Sequence, residues 1–341
     1  MATKSFAAPE VEHAYVRARE LCTQVGEAPQ LLPVLAGLCI FHSNRAELNK
    51  SGELAEQLLS LAERQQDLAF LVVAHEPLGQ AALFRGKLIE AREHQERAIS
   101  LYDRQLHRSL TLGYVFDPDV NNLAHTGMTL WLLGYPDQAL QRSREALTLA
   151  QELSHPFSLG RARQSAATVH QFRGEVQGAR KQADALIVLA SEHGFPHFSG
   201  TGTFWRGWAL AEQGQPEEAI TQMRAVVTAR RAAGVELATP AFLAQLAEAY
   251  GKAGRPEEAL AFVAEAVSVT NSTDERVTES YLYQTRGELL VAVSGGNEAA
   301  TSAEIRELSL CKCDWTPTPQ RPQGHPPGRR AVEESPVRAR N

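Results

Sequence analysis

"GRPEEALAFVAEA", residues 254–266, decides how this chain is read. The same phrase stands upstream as "GQPEEAITQMRAV" at 214–226 and as "GYPDQALQRSREA" at 134–146. Its first glycine recurs as Gly134, Gly174, Gly214 and Gly254, a 40-residue step taken three times in succession. Five positions after each comes an alanine: Ala139, Ala179, Ala219 and Ala259. Upstream, Gly86 with Ala91 continues the series across a 48-residue gap, and Ala46 with Ser51 lies 40 residues earlier. Downstream, Ser294 with Ala299 lies 40 residues beyond Gly254. A fixed period of this length marks a repeat architecture.

Each unit reads as two helices. Apolar residues at helical spacing precede each turn, as in Phe242, Leu243, Leu246 and Tyr250, and follow it, as in Ala219, Ile220, Met223, Val226 and Val227. The turn glycine closes the first helix, because it enters the left-handed conformation without steric cost. Proline then opens the second helix at Pro136, Pro216 and Pro256, where a missing N–H costs nothing. Acidic residues after it suit the positive end of the helix dipole. The first helices carry their own opening marks, Asp117-Pro118, His155-Pro156, Phe195-Pro196 and Thr239-Pro240, with Asp117 and Thr239 predicted as N-caps. No strand-like alternation occurs. The expectation is an all-α solenoid of stacked antiparallel helix pairs over residues 1–300.

The glycine turn, the alanine after it and a small residue eight positions into the first helix (Gly79, Gly127, Ala167, Gly207, Ala247, Gly287) resemble the tetratricopeptide repeat. That resemblance implies a right-handed superhelix, here with units longer than the usual ~34 residues. A narrower likeness lies in "LLGYPDQALQRSREALTLAQELSHPFSLGRA", "QFRGEVQGAR", "RGWALAEQGQPEEAI" and "LAEAYGKAGRPEEAL". These strings are similar to the C-terminal repeats of bacterial signalling proteins that join a class III nucleotide cyclase to a STAND-type ATPase. Neither of those catalytic segments is in this chain.

Composition narrows the function classes. With 43% hydrophobic and 22% charged residues the chain reads as soluble and globular. A net charge of −6 argues against a nucleic-acid surface. The longest nearly apolar run, "LLPVLAGLCIF" at 31–41, is far short of the roughly 20 residues a membrane helix needs. Four scattered cysteines (Cys22, Cys39, Cys311, Cys313) fit reduced thiols in the cytoplasm. Residues 301–341 hold no apolar periodicity; six of the chain's 17 prolines fall in 311–341, so this tail is predicted to be disordered. Its text replaces an expected helix after "SGGNEAA", which suggests an altered reading frame or a divergent terminus. Sequencing the encoding DNA tests this, and the absence of a frame that restores the repeat would end the idea.

Two irregularities interrupt the beat. Residues 104–116, "RQLHRSLTLGYVF", carry the surplus between Gly86 and Gly134 and read as a surface loop able to meet a partner. Pro77 lies inside a predicted helix, where a kink rather than a break is expected.

Motifs of chemistry are absent. "HEPLG" at 75–79 lacks the second histidine of a zinc-protease helix, "CKC" at 311–313 is too few thiolates for a structural metal, and "GTGTFWRG" at 200–207 follows no strand. No phosphate loop or nucleophile elbow occurs. The expectations are no catalytic residue, no metal and no cofactor. His42, His125 and His170 fall at packing positions; of Trp205 and Trp208, which share a helix face, at least one is expected in the core.

First helices of such a solenoid line its concave surface. Counting along the repeats places Glu76, Gln80, Asn121, Arg161, Gln164, Gln171, Trp208 and Glu248 on the inward face. Amides, a guanidinium and an aromatic can hydrogen-bond a peptide backbone and anchor one side chain. The expected function is therefore a non-catalytic protein-interaction module, by resemblance the sensor arm of a cyclase–ATPase signalling protein. The rivals are an enzyme or small-ligand sensor in the groove, for which the sequence offers no cluster of titratable groups, and a scaffold that self-associates through its end repeats.

Overall fold

A computed structural model describes residues 5–25, 30–103 and 115–294. Every regular element among them is helical. The order is α1 (Pro9–Val25), α2 (Leu31–Asn44), α3 (Leu48–Gln65), α4 (Leu68–Phe84), α5 (Leu88–Leu101), α6 (Pro118–Leu132), α7 (Pro136–Leu153), α8 (Pro156–Phe172), α9 (Val176–His193), α10 (Pro196–Glu212), α11 (Pro216–Ala232), α12 (Thr239–Lys252), α13 (Pro256–Thr273) and α14 (Glu279–Val293). The tail 301–341 and loop residues 104–114 lie outside the described residues. At the foot of that loop, Tyr102 Oη donates to Asp117 Oδ2 at 2.7 Å.

The turns fall where the 40-residue beat puts them. Left-handed residues stand at Ala46, Gly86, Gly134, Gly174, Gly214 and Gly254, with φ from 55° to 86°. The predicted seventh turn differs: Ser294 is right-handed at φ −76°, because α14 runs one residue longer than α12 before it caps. A second left-handed series joins each pair to the next, at Gln66, Ser154, Gly194, Gly234 and Asp274. The last four of these are also 40 apart, yet two of the four are not glycine, so no single residue type marks them in the sequence.

Asp117 caps α6 by accepting from the Asp119 and Val120 N–H groups. Thr239 does not cap α12, contrary to expectation. It is the first helical residue, and the capping position is Ala238 at φ 64°, whose N–H donates to Glu275 Oε2 at 3.0 Å. The Glu275 carboxyl thus satisfies the N–H of the residue just before the helix, and α12 has no side-chain cap. Helix α4 passes through Pro77 without a break.

Close approach within each pair explains the small residues. A Cβ added at Gly127 would come within 3.2 Å of the Ala139 carbonyl, and one at Gly207 within 3.4 Å of the Ala219 carbonyl. The post-turn alanines Ala91, Ala139, Ala179, Ala219 and Ala259 are fully buried. Each pair buries its face on neighbours, the largest apolar cluster spanning Ala167 to Leu289.

The first helices form a continuous inner layer: α2 touches α4, α4 touches α6, and so on to α14. This layer coils until it meets itself. The Glu236 and Leu237 N–H groups donate to the Asn44 carbonyl at 2.9 and 3.1 Å, and Val277 N–H donates to Phe84 O at 3.1 Å. Nearly five repeats separate these partners in sequence. Ser5 Oγ reaches the Ala233 carbonyl at 2.8 Å, and Phe6 packs edge-on against Phe157, centroids 5.8 Å apart. The superhelix is therefore wound tightly enough that one turn seats on the next.

Candidate functional site in the concave groove

Four successive first helices each contribute to one buried polar chain. On α2, Ser43 Oγ donates to Gln80 Oε1 of α4 at 2.5 Å. On α6, Asn121 Nδ2 donates to Glu76 Oε1 of α4, while Asn121 Oδ1 accepts from Arg161 Nε of α8 at 2.6 Å. Arg161 Nη2 and Gln80 Nε2 both point at His125 Nε2, at 2.5 and 3.5 Å. A guanidinium can only donate, so His125 Nε2 is the acceptor and the ring proton sits on Nδ1, 3.9 Å from Glu76 Oε1. The sequence spacing of 40 between Asn121 and Arg161 is the repeat itself, which is why equivalent faces converge.

Burial governs the charges here. It pushes the Glu76 carboxyl up to about 7, against the opposing pull of Arg161 and the Asn121 hydrogen bond. Burial, then the Arg161 charge, holds His125 well below the ordinary histidine value, so its imidazole is neutral. The same desolvation lowers Arg161.

The groove continues onto the far side of the superhelix. Glu76, Gln80, Asn121, Arg161 and Gln164 share one pocket with His197 of α10, Arg230 of α11 and Phe242 of α12. Arg230 stacks over the Phe242 ring, 4.2 Å from its centroid, and donates to the Leu237 carbonyl. Burial brings Arg230 down to about 10. His197 falls to about 3, through burial and then the charges of Arg230 and Arg161, which places both guanidiniums near one ring. Phenylalanines 6, 84, 116, 157 and 198 complete the walls.

Five of the eight residues singled out from sequence thus meet in this pocket. Three do not. Trp208 is 3% exposed and packs with Trp205 in the main core, Gln171 is buried at the end of α8, and Glu248 is half-buried on α12. His42 and His170 are satisfied by Glu47 and Glu175 at 2.8 and 2.6 Å. The reading that no titratable cluster exists is corrected: Glu76, His125, Arg161, His197 and Arg230 form one. Sequence reasoning missed Arg230 because it sits on a second helix, which only the closing of the superhelix brings to the groove. No group of three or more metal-ligating side chains occurs among the described residues, nor any helix long and apolar enough to cross a membrane.

Residues 201–225 and 240–265 match the tetratricopeptide repeat. Over 225 residues, 65% of this chain, the sequence is 23% identical to an uncharacterized protein of Rhizobium meliloti (strain 1021), and spans 22% of that relative's length. Among solved structures, the chain is similar to a Rap protein complexed with competence and sporulation factor. The two share 11% identity and a TM-score of 0.61 over 88% of this chain and 84% of that one. At that identity the likeness is one of fold. It is also similar, at 11% identity and a TM-score of 0.46, to a STAND protein with a tetratricopeptide repeat sensor from Pyrococcus horikoshii, covering 89% of this chain and 47% of that one.

Proposed function

We propose that this solenoid of tetratricopeptide-type repeats is a non-catalytic interaction module that holds a short peptide segment in its concave pocket. The observation that carries the reading is the pocket itself. Amide and guanidinium groups from four consecutive first helices line it at repeat spacing, opposite a wall of phenylalanines. Amides can satisfy a peptide backbone, and the rings can seat one or two side chains. The fold-level neighbour complexed with a competence and sporulation factor supports a groove that carries a ligand.

In this reading the module works in the cytoplasm as a sensor or regulatory arm. The cyclase–ATPase context follows from the sequence resemblance alone: occupancy would shift a conformational equilibrium felt by an attached or associated ATPase. Selection from a library of short peptides, followed by titration of the best binder, tests the groove. Gln80→Ala and Gln164→Ala are expected to weaken binding about tenfold with an unchanged helical circular-dichroism signal. Unchanged affinity in both variants would remove the pocket from the reading.

One observation favours a second reading. The Glu76 carboxyl near neutrality, beside a neutral imidazole, has the range of a general acid or base. Both groups are already committed to the helix-linking chain, and a structural role accounts for them. Turnover of any ligand found to bind, lost in Glu76→Gln without loss of binding, would establish the catalytic alternative.

A further inference from the structure

Two rows of turns meet where the superhelix closes. The row between paired helices supplies Asn44, Ala46, Phe84 and Gly86; the row between successive pairs supplies Ala233, Gly234, Glu236, Leu237, Asp274 and Val277. Three backbone bonds, Glu236 and Leu237 to Asn44 and Val277 to Phe84, cross this seam. The Arg85–Asp274 ion pair at 3.4 Å crosses it too, and residues 5 and 6 bridge it from the N-terminal side. These contacts join short turn segments, some buried (Phe6, Ala46, Phe84) and some half-buried (Asn44, Glu236, Leu237, Val277), whereas each helix pair buries whole apolar faces. Opening the seam is therefore the least costly large motion open to the described fold.

The pocket shares its walls with that seam. Phe6, Asn44, Phe84 and Leu237 belong to both, and Arg230 holds the Leu237 carbonyl while lining the pocket. An open seam would pull one wall of the pocket away.

We infer that these contacts are a clasp, that the pocket is a complete binding site only while the clasp is shut, and that an occupant and the clasp stabilise each other. The inference rests on the groove being a ligand site, as proposed above. The chemistry that fits is a short ligand with an apolar or aromatic body and an anionic group. Arg161 and Arg230 bring two guanidiniums against the Glu76 carboxyl in the lining, the Glu275 and Glu236 carboxyls bearing on Arg230 from outside it, and phenylalanine is the commonest lining residue. Each guanidinium has donors beyond those used within the protein.

Linkage makes the idea measurable, because a ligand that needs the shut clasp must slow its opening by the same factor. The probe is anilinonaphthalene sulfonate, an aromatic anion, added to the full chain. At about ten times its Kd, hydrogen exchange of the Glu236, Leu237 and Val277 amides is expected to slow about tenfold. Amides within α13 are expected to keep their rates. Arg85→Gln, which removes a seam contact at a residue that does not line the pocket, is expected to speed exchange at Val277 and weaken the probe two- to threefold, roughly the worth of a partly exposed ion pair.

Three outcomes would overturn the inference: no saturable binding of the probe, seam amides that exchange equally with and without it, or an Arg85→Gln chain unchanged in both readouts. The peptide titration separates this from the broader reading. A peptide that senses Gln164→Ala while the seam stays indifferent removes the clasp and keeps the interaction module. A seam that responds to the probe when no peptide is captured does the reverse.

Discussion

Ala46 occupies a position where five of its counterparts are glycine, and it does so at φ 55°. A Cβ in that conformation costs roughly 1–2 kcal/mol, partly offset by the chain entropy that glycine would lose. Ala46→Gly is therefore expected to stabilise the chain by about 0.5–1 kcal/mol in urea unfolding. Gly174→Ala, the reverse exchange, is expected to lose about 0.5–1 kcal/mol; its added Cβ would meet nothing within 4 Å, so no clash adds to that cost. Glu76 belongs to the same scale. Its folded value, about 7, lies above the ordinary 4.5, so the folded state holds the proton more tightly. Its contribution is full below pH ~4.5 and lost as the pH rises through ~7, on the order of 3 kcal/mol in all. Unfolding curves at stepped pH should show that decline as the difference between the native chain and Glu76→Gln, since His125 and His197, held below their ordinary range, change stability with pH in the opposite direction.

At the scale of the element, the decisive contact is between paired helices. Gly127 faces the backbone of α7 at Ala139, and backbone cannot step aside as a flexible side chain would. Gly127→Val is expected to cost about 1–3 kcal/mol by overpacking. Gly52, inside α3, has nothing within 4 Å of an added Cβ. Gly52→Ala is expected to gain about 0.5–1 kcal/mol from helix propensity alone, so thermal melts of the two variants should move in opposite directions. A latch not anticipated from the sequence also recurs at this scale. His42 and Arg45 both reach Glu47 across one turn, and His170 and Arg173 reach Glu175 across another. Each latch ties the last turn of a first helix to the start of its partner.

For the whole molecule, a solenoid held only by nearest neighbours would let one end loosen without effect on distant repeats. Here Phe6 packs with Phe157, Leu186 and Phe198, repeats far along the chain. Phe6→Ala is expected to cost about 3 kcal/mol and to raise hydrogen exchange in α8 and α10, whereas a freely ended rod would confine the effect to the N-terminal helices. Self-association through the end repeats stays a separate expectation. Light scattering decides it, a monomer mass across a range of concentrations counting against the scaffold.

The period, the helix pairs, the glycine turns and the inward side of the first helices were legible from sequence, because each depends on residues close together in the chain. Glu76, Gln80, Asn121, Arg161 and Gln164 could be gathered onto one face by counting in steps of a repeat. Trp208 was counted to the same face but packs in the core, since a few degrees of rotation between helices decides which side of an aromatic residue is covered. Arg230 and the seam lay beyond any such count. They depend on the superhelical pitch, the accumulated sum of small rotations between neighbouring pairs. That sum is set by how side chains interlock across each interface, and the spacing of glycines carries no record of it.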